Sequence, residues 1–354
     1  MTISYKWLSD YLPVELEPER LSKILTSIGL EVEKMETYEE IKGGLKGLVI
    51  GEVLEVQQHP NADKLKLTKV NVGHNELQIV CGAPNVAAGQ KVVVATVGTT
   101  IYPTKGEPLT MKVAKIRGEE SYGMICAEDE IGLSDSHEGI MILNENAKPG
   151  ARAEEYFEPY NDIIFEIGLT PNRMDAMSHW GVARDVCAYL SHHDKIVVKP
   201  VIPLYHLKPD NHSLNIAVTI EDNEACKRYS GICISNVQVK ESPKWLQQKL
   251  KAIGLRPINN IVDITNFIQH ETGQPLHAFD YDEITGQKVI VKKLAEGIRF
   301  LTLDEKEIKL DSQDLMICNE DEGMCIAGVF GGMKSGVTQK TKNIFLLWVN
   351  YSKF

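Results

Sequence analysis

The feature that most restricts the fold is a block of short β-branched runs with no amphipathic helix among them, set between two helix-bearing regions. From 39 to 153 the runs LVIGEVLEV, KLKLTKVNV, ELQIVCGA, KVVVATV, LTMKVAKI and YGMICA follow one another, separated by turn residues. Strands without helices bury their apolar faces against other strands, so the block predicts a small barrel or sandwich. Between the first two runs lies HPNADKL (59–65), whose Pro60-Asn61 marks a turn. Lys64, Lys66 and Lys69 recur along the second run, and Lys112, Lys115 and Arg117 approach the end of the fifth. Two readings of these cations stand: a surface that tracks a phosphate backbone, and an ordinary solvated strand face.

The flanks carry helix punctuation. Near the N-terminus ISYKWL reads as strand-like, and a helix follows in which Pro18 takes a first-turn position. Leu21, Ile24, Leu25 and Ile28 form its stripe and Gly29 its cap. After the block, residues 154–195 read as a strand, a turn at Thr170-Pro171-Asn172-Arg173, and a helix capped by Ser178 with Val182, Val186 and Tyr189 on its apolar face. Asn172, Arg173 and Asp175 read as turn braces. Residues 196–212 are irregular and read as a linker. From 213 onward LNIAVTIED, RYSGICISNVQV, KVIVKKL, IRFLTL, KEIKL, LMICNE and MCIAGVF supply strands around two helices, an α+β order rather than an alternating one.

The densest polar stretch is Gly254 to Asp280. It begins where a helix started by Ser242-Pro243 ends at Gly254. A second helix fits Asn260 to about Glu271, with Ile261, Ile264 and Ile268 as its stripe, Asp263, Thr265 and Asn266 on its polar side, and Gly273 as its stop. The turn Gln274-Pro275 then delivers His277 and Asp280. A hydroxyl, a carboxamide, an imidazole and a carboxylate this close in sequence can orient a substrate and a water. The same side chains serve equally as caps and local braces. AGVFGG (327–332) is a strand ending in paired glycines, which suits either a tight turn or a close approach.

Composition excludes several classes. The net charge of −11 rules out a polycation built for nucleic acid, so an RNA contact has to come from a local basic patch. The 7 cysteines stand singly, with no C-x-x-C pair, which argues against a zinc ribbon or a disulfide framework and for a reducing compartment. MTISYKWLSDYL lacks the pattern of a signal peptide. No run reaches the roughly 18 apolar residues of a membrane span, so the expectation is a soluble, cytoplasmic protein without a membrane partner. GVFGGMKSG has glycines but not the G-K-[ST] end of a phosphate loop, so no ATP site is expected here.

VDITNF followed by GQPLHAFD closely resembles the B3/B4 editing region in the β subunit of bacterial phenylalanyl-tRNA synthetases. HPNADKL, VCGAPN (80–85) and KIRGEESYGMICAEDEIGL (115–133) resemble the EMAP-II-type tRNA-binding OB-fold of the same subunits. TPNR-x-D-x-x-S-x-x-G-x-AR-x-V resembles the segment that follows that OB-fold. The motifs keep the same order from residue 1 to about 346. The resemblance implies a multidomain α+β chain: a split α/β domain (B1) from 1–38 plus 154–195, an inserted all-β OB-fold barrel (B2) at 39–153, the linker 196–212, and a truncated B3/B4 editing domain at 213–354.

It further implies an α2β2 heterotetramer that attaches phenylalanine to tRNA-Phe with ATP and magnesium at a site on the α subunit. The β subunit hydrolyses tyrosine wrongly attached to that tRNA. This stretch itself implies no cofactor, no metal site and no DNA partner. Carried over residue by residue, the editing pocket would use Thr265, Asn266 and His277, with Arg256 nearby and Ala327-Gly328 as its floor. Lys64, Lys66, Lys115 and Arg117 would face RNA. One departure stands out: Leu347 occupies the place of a Glu that in the family reads the tyrosine hydroxyl, and LWVNYSKF follows. The change after Leu346 reads as a frameshift or premature end, which implies impaired editing. The alternative is a non-catalytic tRNA-binding or subunit-assembly module.

Overall fold

The computed structural model describes residues 1–195, 197–201 and 208–351. Part of the expected 196–212 linker, and residues 352–354 of the tail, therefore lie outside the described residues. Two compact units are present: Thr37–Asp162, and Met1–Glu36 together with Ile163–Phe354.

In the first, a five-stranded sheet runs in the order Gly123–Ile125, Lys91–Thr96, Leu48–Gln58, Lys66–Asn71, Glu76–Cys81. Its edges approach each other. Tyr122 donates its N–H to the Gln78 carbonyl at 2.9 Å, and Val80 donates to Ser121 Oγ at 3.1 Å. Near-closure of this kind hides strand edges that would otherwise pair with other chains. The Lys91–Thr96 strand is buried on both faces. Val92 and Val94 join one apolar cluster with Val53 and Ile79, while Val93 and Ala95 join another with Ile50 and Cys126. Hence KVVVAT is a continuous apolar run rather than an alternating one.

The fifth expected strand is broken. Leu109–Thr110 pairs with Thr100–Ile101, and Ala114–Ile116 pairs separately with Glu119–Ser121. Met111 sits at the break: its side chain is buried and its N–H donates to the Thr99 carbonyl, while Lys112 and Val113 are exposed.

In the other unit a three-stranded sheet runs Thr2–Ser4, Asn161–Gly168, Glu31–Glu39. ISYKWL is not one strand. Ser4 Oγ accepts the Trp7 N–H at 3.0 Å and starts a short helix, Tyr5–Ser9. That helix, Pro18–Ser27 and His179–His193 share a core of Trp7, Leu21, Leu25, Phe165, Val182 and Val186. Ser178 caps the last of them by accepting the Gly181 N–H at 3.0 Å.

Beyond the linker, a five-stranded sheet runs Ala217–Ile220, Lys288–Lys293, Leu315–Cys318, Gly323–Ile326, Phe330–Gly331, with only its first pair parallel. A second sheet runs Cys226–Ile234, Ile344–Tyr351, His277–Asp280. Its central strand passes Leu346 without interruption, and the Trp348 ring lies 5.9 Å from the Arg228 guanidinium.

The two helices here are Lys244–Ala252 and Asn260–Thr272. Pro243, not Ser242, is the N-cap of the first, because the Ser242 hydroxyl is engaged with Asp263 instead. Asn259 Oδ1 caps the second by accepting from Ile261 and Val262, and Gly273 ends it at φ 80°. The expected stripe is rotated: Ile264 is 45% exposed, whereas Asp263 and Thr265 are buried. Asp263 and Phe267 stand four residues apart and share a face. Asp263 is drawn inward by its partners, and Phe267 packs against the Trp7 ring.

Candidate functional site

A cavity of about 300 Å³ opens where helix 260–272 ends. One wall is Gln269 with Pro275 and Leu276 of the turn that follows. His277, Leu347 and Val349 come from the sheet strands beside it. Ile317 and Cys325 close the far side, with the turn 328–331 at the rim.

His277 and Leu347 are direct cross-strand partners, which places the imidazole beside the position that the resemblance singled out. The ring meets Phe279 edge-on at 4.6 Å. It also lies where a side chain on Gly331 would project: a Cβ there would stand 2.8 Å from His277 Cε1. The glycine pair of AGVFGG thus serves close approach: the imidazole and Leu303 approach Gly331, and the Met324 carbonyl and the Phe300 ring approach Gly332. Burial pushes the His277 pKa down to about 4. At neutral pH the ring is uncharged, with one nitrogen able to accept and one able to donate.

Gly328 lines the cavity from a turn at φ 72°, and Ala327 is buried behind it in the core with Phe279, Ile317 and Leu347. Thr265, Asn266 and Arg256 do not line it. The Thr265 hydroxyl donates to the Val262 carbonyl of its own helix at 2.7 Å, Asn266 is half-buried, and Arg256 is exposed between the helices. The structure therefore brings together His277, Gly328 and Leu347 and leaves the other three outside. Asp263 and Asp280 act as braces. Asp263 accepts the Ser242 hydroxyl at 2.5 Å and the Ile258 N–H at 2.8 Å, while Asp280 accepts from Thr341 and from Asp282. Gln269 and Cys325 were not singled out from sequence. Neither has a motif neighbour that marks it, although Cys325 lies two residues before Ala327.

In the other unit, His59 is buried and ties the HPNADKL turn to the 114–121 hairpin. Its Nδ1 accepts the Asn61 N–H at 3.0 Å, which leaves the proton on Nε2 to donate to the Ile116 carbonyl at 3.2 Å. Asn61 Nδ2 donates to the Arg117 carbonyl at 3.1 Å. These bonds hold the exposed Lys64 near the exposed Lys115 and Arg117. Lys66 is different: its ammonium donates to the carbonyls of Pro84 and Val86 at 3.2 and 3.1 Å and braces that loop. Lys69 pairs with Glu76 at 2.6 Å. Among the described residues no group of His, Cys, Asp and Glu is arranged to hold a metal, and no helix is long and apolar enough to cross a membrane.

The family model described as the B3/4 domain matches residues 225–353, and that of the putative tRNA binding domain matches 48–152. The phenylalanine–tRNA ligase β subunit of Bacteroides fragilis is 56% identical over 349 residues, covering 98% of this chain and 42% of that protein. The same subunit of Porphyromonas gingivalis is 53% identical over 354 residues, 99% of this chain and 43% of that protein. That of Bacillus subtilis is 45% identical over 354 residues, 98% and 42%. The chain belongs to the phenylalanine–tRNA ligase β-subunit family. It spans about 42% of the length of the first of these relatives. The B3/4 match contains His277, Gly328 and Leu347, and it runs on to 353. The residues after Leu346 thus fall within the B3/4 match as well. Lys64, Lys115 and Arg117 fall within the tRNA-binding match.

Proposed function

We propose that this chain is the tRNA-contacting and proofreading part of a phenylalanine–tRNA ligase. With an α subunit in an α2β2 assembly, and with ATP and magnesium acting at the α subunit's site, the whole enzyme attaches phenylalanine to tRNA-Phe in the cytoplasm. The barrel at 39–153 is an OB-fold that guides the tRNA along the edge carrying Lys64, Lys115 and Arg117. The cavity beside His277 takes the misacylated end and hydrolyses its ester. Such a second site answers a physical problem, since an apolar pocket rejects an added hydroxyl by only about a hundredfold.

The observation that carries this reading is that His277, Gly328 and Leu347 border one cavity inside the B3/4 match. In the reading, the neutral imidazole holds the attacking water or the terminal ribose hydroxyl, and rate comes mainly from positioning. Thr265 supports the helix from within, and Asn266 and Arg256 meet the nucleotide chain outside the cavity. Leu347 makes the pocket apolar where a hydroxyl has to be recognised. An unpartnered buried hydroxyl costs about 1–3 kcal/mol, so selection of tyrosine is weak.

The test is deacylation of Tyr-tRNA-Phe by the chain, by His277→Ala and by Leu347→Glu. Slow hydrolysis, abolished by His277→Ala and quickened by Leu347→Glu, is expected. Absence of hydrolysis in all three refutes the editing assignment for this chain. A non-catalytic tRNA-binding role would then remain, favoured by the edge that His59 and Asn61 hold together.

A further inference from the structure

The N-terminal segment makes an unusual set of contacts with one half of helix 260–272. The Trp7 indole is sandwiched between two rings: His179 at 4.1 Å and 18°, and Phe267 at 4.6 Å and 7°. The Lys249 ammonium lies 5.6 Å from the Trp7 ring centre and 5.7 Å from that of Phe267, and it pairs with Asp10. His179 Nδ1 donates to the His270 carbonyl at 2.8 Å, while its Nε2 accepts the Ser4 N–H at 3.1 Å. The Tyr11 hydroxyl donates to Glu271. The links that reach the helix end on Phe267, His270 and Glu271, with Lys249 beside them, and the Trp7–His179 stack and the Ser4–His179 bond support them from behind. Those three helix residues bracket Gln269, which is the helix's contribution to the cavity wall, and they precede the turn that brings in Pro275 and Leu276.

The opposite walls are strands of two sheets, fixed by backbone ladders. The helical wall has no such ladder, because a helix satisfies its backbone internally. Its distance from the strands is set by side-chain contacts together with the short turn 273–276 that joins it to His277. We propose that Trp7 and Tyr11 are positioning residues for the cavity: they hold the 267–276 wall and so set the width of the pocket that contains His277. The consequence for hydrolysis rests on the editing reading above, but the effect on the pocket does not.

The experiment uses the full chain and reads the cavity directly. Cys325 lines it, whereas Cys318 packs with the separate cluster of Phe300 and Met316, and Cys187 lies in the N-terminal core. Alkylation by iodoacetamide, resolved per cysteine by peptide mass spectrometry, is compared in wild type, Trp7→Leu, Trp7→Phe, Tyr11→Phe and Glu271→Gln. Opening of the wall alone raises the Cys325 rate by about tenfold in Trp7→Leu and severalfold in Tyr11→Phe and Glu271→Gln, with Cys318 and Cys187 unchanged. Trp7→Phe keeps a flat ring in the stack and restores the wild-type rate.

A uniform rise at all three cysteines overturns the proposal, since it reports general loosening. So does no change in Tyr11→Phe and Glu271→Gln, which keep the core filled should Trp7→Leu fail to fold. In the deacylation assay the wall variants are expected to lower kcat more than they alter KM. Wild-type hydrolysis that stays unchanged in Trp7→Leu refutes the proposal. If the wild type hydrolyses nothing, the editing reading fails while the alkylation pattern still decides this one.

Discussion

Acid should destabilise this protein through its buried imidazoles, and most through His179. His179 is fully buried, stacked on Trp7, with Nδ1 donating to His270 and Nε2 accepting from Ser4. A second proton on Nε2 would face the Ser4 N–H, and it would bring a charge into the core. Burial accordingly pushes the His179 pKa down to about 3. In the unfolded chain the ring takes up its proton near pH 6.5, so below that pH the unfolded state binds one proton that the folded state refuses. The stability is intact above about pH 6.5 and is lost progressively as the pH falls towards 3.

At about 1.4 kcal/mol per pH unit, roughly 2 kcal/mol is gone by pH 5, and the full difference is on the order of 4–5 kcal/mol. Trp7, Trp180, Trp245 and Trp348 all lie in the unit that contains His179, so denaturant unfolding followed by tryptophan fluorescence isolates it from the barrel. The control is His179→Gln, whose carboxamide can make both hydrogen bonds without titrating. Between pH 7.5 and pH 5 the wild type should lose about 2 kcal/mol more than the variant. His277, with its own lowered pKa, is present in both and cancels. Equal losses in the two proteins would refute the argument.

Three further outcomes follow from the geometry. Gly331→Ala puts a methyl 2.8 Å from His277 Cε1 and 2.7 Å from Leu303 Cδ1, so the imidazole has to shift. Deacylation should fall by about tenfold or more while the melting temperature moves little. Asp263→Ala strands the buried Ser242 hydroxyl and removes the acceptor of the Ile258 N–H, and fluorescence-monitored unfolding should show a loss of about 1–3 kcal/mol. Replacing Lys64, Lys115 and Arg117 together by Ala should weaken tRNA binding and flatten the slope of log affinity against log salt by about 2–3. Lys66→Ala should leave that slope nearly unchanged and instead loosen the 84–86 loop, because its ammonium is already held by carbonyls there.

What was legible in advance followed local chemistry. Gly254 and Gly273 end their helices at φ 85° and 80°, Pro18 opens one and Ser178 caps another, since each of these roles depends on one residue's own backbone or side chain. The strand runs between 48 and 96 were readable because each sends β-branched residues into an apolar cluster, and Lys91–Thr96 does so on both faces. Helix 260–272 was found, but its orientation was not. Periodicity states which residues share a face, not which face is covered, and Asp263 is drawn inward by Ser242 and Ile258 rather than by its own hydropathy. ISYKWL was misread because a single hydroxyl, Ser4, converts an apparently strand-like run into a helix start. LTMKVAKI was misread because the buried Met111 interrupts it.

The sequence by itself determined the family, the all-β block between helical segments, and the two stretches that contain the candidate site. Only the tertiary structure decided the membership of the cavity. His277, Gly328 and Leu347 meet because the 344–351 strand is inserted beside 277–280, a pairing across most of the domain that no spacing encodes. Thr265 is excluded because a helix gives a short hydroxyl its own carbonyl as the nearest partner. The wall that faces His277 is held in turn by Trp7 and Tyr11, from the opposite end of the chain. A pocket's shape depends on groups brought together by folding, and those contacts are set by packing rather than by any local preference of the residues that make them.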